Sequence, residues 1–74
     1  MRTTKKAAGH YVSSDGRFEF TRMFQRHGDT WRVEDTTGAT PFIRAGRARS
    51  GIVCDTLADA KQEAQYATEA EQTT

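Results

Sequence analysis

Only ten of the 74 residues are Leu, Ile, Val or Phe (one, two, three and four, respectively), and this scarcity constrains the fold more than any motif. So low a fraction overlaps with that of disordered chains, and one core in a chain of this length supplies only about 3–5 kcal/mol of net stability. Two features argue for folding. The net charge is only +1, and six of the seven aromatic rings lie between Tyr11 and Phe42, whereas disordered segments are aromatic-poor and strongly charged. The expectation is one small domain with a folded centre and loose ends. A core this small gains from a second subunit, so a homodimer is expected as well.

The aromatic centre reads as a sheet. Residues 1–9 carry Arg2, Lys5 and Lys6 without apolar periodicity and read as a flexible basic arm. Asp15-Gly16 marks a turn. "RFEFTRMF" then alternates, with Phe18, Phe20 and Phe24 on one face and Arg17, Glu19 and Thr21 on the other. After the five-residue loop "QRHGD", "TWRVED" places Trp31 and Val33 on the inner face of an antiparallel partner.

"TTGAT" is a further turn, and the third strand is formed either by Phe42 and Ile43 or by Ile52 and Val53. The later pair leads directly into a helix and is the better choice, which leaves "IRAGRARS" as a mobile basic loop. Thr56 is the expected N-cap with Asp59 at N3. Leu57, Ala60, Ala64 and Ala67 form one helical stripe, whose small side chains allow close approach to the sheet. Glu69 and Glu71 oppose the helix dipole near its end, so residues 71–74 are expected to be a disordered tail. The predicted architecture is α+β, a three-stranded antiparallel sheet packed against one C-terminal helix, with the domain spanning residues 10–70.

Charge is divided along the chain. Through Cys54 there are ten Lys or Arg and five Asp or Glu, whereas from Asp55 onward one Lys faces five acids. A basic sheet backed by an acidic helix suits a nucleic-acid binder, because phosphate attraction is long-ranged while the acidic side faces away.

"WRVEDTTG" followed by "CDTLADAKQEA" resembles the three-stranded-sheet DNA-binding domains of the AP2-like and phage integrase arm-binding type, over roughly residues 16–67. The resemblance implies a sheet face that enters the major groove of DNA, and Arg17 and Arg32 match its exposed sheet arginines. Glu19 and Glu34 share that face and depart from the pattern, as does Cys54 at an aromatic position. As cross-strand partners of the arginines, these carboxylates would contribute roughly 0.2–1 kcal/mol per pair. Eight of the eleven basic residues are Arg and Asn is absent, and the chain is similar also to small uncharacterised phage proteins of GC-rich bacteria.

The candidate nucleic-acid-binding residues are Arg17, Arg32, Arg44, Arg47 and Arg49, the last three on a loop that could equally be solvated surface. No catalytic residues, cofactor or metal are expected. The chain has no Walker-type loop, nucleophile elbow or metalloprotease helix, and His10, His27 and Cys54 lack zinc-ligand spacing. Cys54 is read as buried rather than reactive. The lone cysteine suits a reducing compartment. The start lacks the apolar stretch of a signal peptide, and no segment approaches spanning length. The expectation is a non-enzymatic cytoplasmic binding module without a membrane partner. Nucleic acid is the leading ligand, and the alternatives are a host protein bound by a phage accessory or host-takeover protein, and a structural homo-oligomer.

Overall fold

The computed structural model describes residues 2–24, 26 and 28–72, of which 71 and 72 are described in backbone only. His27 and residues 73 and 74 of the expected tail lie outside them. The elements are β1 (Thr3–Ala7), β2 (His10–Ser13), β3 (Phe18–Met23), β4 (Thr30–Asp35), β5 (Phe42–Arg44), β6 (Arg47–Arg49), β7 (Gly51–Cys54) and α1 (Leu57–Gln72).

The class is α+β, with an antiparallel sheet and one C-terminal helix. The sheet has five strands in the order β1-β2-β3-β4-β7, and β5 and β6 form a separate two-stranded sheet. This corrects the three-stranded expectation in two places. The segment read as a flexible arm forms β1, which pairs with β2. The segment read as a mobile basic loop forms the β5–β6 hairpin. The later choice for the strand beside β4 holds, since Val33 lies opposite Ile52 and Trp31 opposite Cys54.

Alternation places Phe18, Phe20, Val33, Ile52 and Cys54 on one face, where they bury with Phe42 and with Ala60, Ala64 and Ala67 of α1. Tyr11, Trp31 and Leu57 pack around this core, and the Tyr11 and Trp31 rings stand 5.7 Å apart. Phe24 follows the end of β3 and is exposed, against the expectation that it joins the inner face; the Arg22 guanidinium lies 5.0 Å from its ring centre. Thr56 caps α1 as expected, its hydroxyl accepting from the Asp59 N–H at 3.1 Å.

The ends of β3 and β4 are tied by polar groups. Gly16 takes the left-handed conformation, with φ of 78°, and the Ser13 hydroxyl donates to Asp15 while accepting from the Phe18 N–H. Phe18 lies opposite Asp35, so Arg17 reaches Asp35 at 2.8 Å. Asp35 also accepts from the backbone N–H and hydroxyl of Thr37.

Candidate nucleic-acid interface

Three of the five candidate arginines meet at the β7 end of the sheet. The β5–β6 hairpin turns through Ala45 and Gly46, both with positive φ, at 51° and 75°. Two such residues make the tight turn whose twist matches paired strands. In the hairpin Phe42 lies opposite Arg49 and Arg44 opposite Arg47. Directly opposed residues share a face, so Phe42, Arg44, Arg47 and Arg49 are on the same side. Phe42 is buried against Phe18, which turns that side toward the body of the molecule.

Arg32 comes from β4, on the sheet face away from the helix. It lies opposite Val53, and its guanidinium passes beside Gly51. A Cβ at Gly51 would sit 3.2 Å from the Arg32 Nη2 and 3.1 Å from the Val33 carbonyl oxygen, so the missing side chain makes the room that Arg32 occupies.

Arg32, Arg44 and Arg49 line a cleft of about 330 Å³ with Gly51, Ile52 and Val53. A neighbouring cleft of about 380 Å³ shares Arg32, Arg49 and Gly51 and extends to Thr40 and Ser50. Consecutive strand residues point to opposite faces, and β4 occupies one edge of β7. A cleft touching both Ile52 and Val53 therefore runs along the other, unpaired edge.

The neutralising carboxylates are few. Arg44 donates to Glu63 of α1 at 3.1 Å and to its neighbour's carbonyl, that of Ile43, and Arg32 lies 3.6 Å from Glu34. Arg47 and Arg49 make no ion pair among the described residues. Arg47 is exposed beside the hairpin turn and does not line the cleft.

Arg17, expected on the exposed sheet face, is elsewhere. Its guanidinium bonds Asp35 and lies over the Phe18 ring at 4.8 Å. Glu19 and Glu34, expected as partners of arginines across the strands, stand opposite each other. Like charges so placed repel, and among the described residues Glu34 has an arginine within 3.6 Å, Arg32 of its own strand, whereas no ion pair is formed by Glu19. The division of charge is thus incomplete: the open face of the sheet carries acids, and Glu63 of the acidic helix reaches the basic cleft.

Sequence reasoning missed Thr40, Ser50, Gly51 and Glu63. The dipeptide Ser50-Gly51 at the start of an apolar run was the available signal, because a glycine inside a strand marks close approach of another group. Glu63 is brought to Arg44 by tertiary packing and had no local signal.

The Cys54 thiol is buried, and that burial, followed by the nearby Glu63 charge, pushes its pKa up, the reverse of an activated nucleophile. Among the described residues no three His, Cys, Asp or Glu side chains gather where they could share a metal ion, and no helix is long and apolar enough to cross a membrane. Compared with known proteins, the chain matches no family model, no curated protein and no solved structure.

Proposed function

We propose that this chain is a non-enzymatic nucleic-acid-binding module that takes backbone phosphates into the β7-edge cleft. The observation that carries this reading is the convergence of Arg32, Arg44 and Arg49 from three strands on one cleft that holds more guanidinium groups than carboxylates. Opposed Arg44 and Arg47 repel each other across the hairpin. A phosphate on Arg44 within the cleft offsets part of that repulsion, and a bidentate guanidinium–phosphate contact adds directed hydrogen bonds. Arg47 serves as a rim charge that draws the strand in.

The AP2-like mode, with the open sheet face in a major groove, loses support from two observations. Arg17 is held by Asp35, and the facing Glu19 and Glu34 would repel phosphates. Fluorescence anisotropy of labelled oligonucleotides against rising salt tests the reading. Binding should weaken along a log–log line whose slope counts the phosphates engaged, and simultaneous Ala substitution at 44, 47 and 49 should remove it. Absence of binding to every duplex and single strand at low salt would reject it.

A second reading rests on the free edge of β7. An extended acidic peptide could add there as a further strand, held by backbone hydrogen bonds and flanked by the same arginines. Capture of an acidic peptide without competition by oligonucleotide would favour it.

A further inference from the structure

We infer that the groove between β5 and α1 is a nucleobase subsite, so that the ligand is single-stranded; this rests on the nucleic-acid reading of the neighbouring cleft. The groove holds about 270 Å³, and its lining includes Pro41, Ile43, Tyr66, Ala67 and Ala70 together with Glu63, the partner of Arg44. Arg44 lines both this groove and the basic cleft, so a phosphate that replaces Glu63 on Arg44 sets its own base beside the apolar wall.

The wall is open and has an aromatic ring in place. Ile43 is 68% exposed and Tyr66 54% exposed, unusual for large side chains in a chain with so few of them. Gln62, one turn earlier, donates to the Tyr66 hydroxyl at 2.7 Å. An aromatic ring and a guanidinium lining one groove form the combination that holds unpaired bases, because every base has a face to stack while the charge follows the backbone. In a duplex the base is stacked and paired inside the helix and cannot enter a groove between a hairpin and an α-helix. The facing carboxylates of Glu19 and Glu34 independently disfavour a duplex against the open sheet face.

The test compares three labelled ligands of equal length, an oligothymidylate, an abasic strand and a duplex, by anisotropy at one low salt concentration. Stacking predicts that the wild-type protein binds oligothymidylate about fivefold or more tightly than the abasic strand, and the duplex more weakly than oligothymidylate. Tyr66→Ala should erase the preference for bases without changing abasic affinity, and Tyr66→Phe should keep most of it. Arg49→Ala should weaken both single strands by a similar factor. Circular dichroism checks that the exposed substitution leaves the fold intact. An unchanged preference in Tyr66→Ala, or a duplex held as tightly as oligothymidylate, overturns the base subsite while leaving the phosphate cleft standing. Failure of the wild-type protein to bind any of the three overturns both.

Discussion

The Arg17 guanidinium donates from Nε and Nη2 to one oxygen of Asp35, at 2.9 and 2.8 Å. The Asp35 side chain is fully buried, and that of Arg17 is 18% exposed. The two residues are 18 apart in the chain, and the pairing of Phe18 with Asp35 alone brings them together. The pair closes one end of the β3–β4 ladder directly above the core ring of Phe18.

Removing Arg17 should therefore be severe. Arg17→Ala leaves a buried carboxylate without its cation, a loss of about 3–5 kcal/mol, which matches the whole net stability available to a domain of this size. Far-UV circular dichroism should show Arg17→Ala largely unfolded at room temperature. A folded variant with an unchanged urea midpoint would remove this pair from the account of stability.

The same pair sets a pH dependence. Burial by itself would raise the Asp35 pKa, but hydrogen bonds from Arg17 and then Thr37 outweigh it and hold the carboxyl below its ordinary value of 3.8. Asp15 is lowered too, first by the Ser13 hydroxyl and then by the Arg17 N–H. A folded-state pKa below the unfolded one gives stability that is complete above the unfolded value and is lost as pH falls through the folded value. Thermal midpoints should stay level through mild acid and drop below about pH 4. Asp35→Asn should lower the midpoint at neutral pH and flatten the acid limb.

Single arginine substitutions separate cleft from rim. Arg32→Ala and Arg49→Ala should each weaken oligonucleotide binding by a similar factor across sequences and reduce the salt slope by about one. Arg47→Ala, at the rim, should slow association more than it speeds dissociation. Stopped-flow mixing reads both rates, and a change confined to dissociation would place Arg47 inside the cleft.

Ala45 stands where glycine or asparagine is favoured. A left-handed alanine costs about 1–2 kcal/mol, and the first position of this turn prefers Asn. Because the hairpin carries Phe42 into the core, the relief should be felt by the whole domain. Ala45→Asn should raise stability by about 0.5–1 kcal/mol, read as a higher urea midpoint at constant slope.

What was legible in the chain follows from what each segment buries. β3 and β4 alternate because the helix covers one of their faces, and Thr56 with the alanine stripe marks α1. β1 was illegible because four of its five residues are exposed and so carry no apolar pattern. The β5–β6 hairpin was illegible because Ala-Gly is a weak turn signal and three arginines read as a solvated loop. Of the candidate site, the arginines of the hairpin were visible as a group and Arg32 was named beside them, but the meeting of Arg32 with Arg44 and Arg49 and the withdrawal of Arg17 depend on cross-strand pairing. Pairing partners so distant in sequence leave no local mark.

The buried methyl groups of Ala60, Ala64 and Ala67 have a consequence for how the molecule comes apart. Dispersion between short side chains and the rings beneath them decays within a fraction of an ångström, a gap of about 0.5–1 Å forfeiting a quarter to a half of it. Beyond Leu57 at its first turn, the stripe has no long side chain to keep contact while the helix lifts. The alanine-lined turns therefore hold the sheet only at full contact, so even a small outward shift of the helix gives up much of what they contribute to the core.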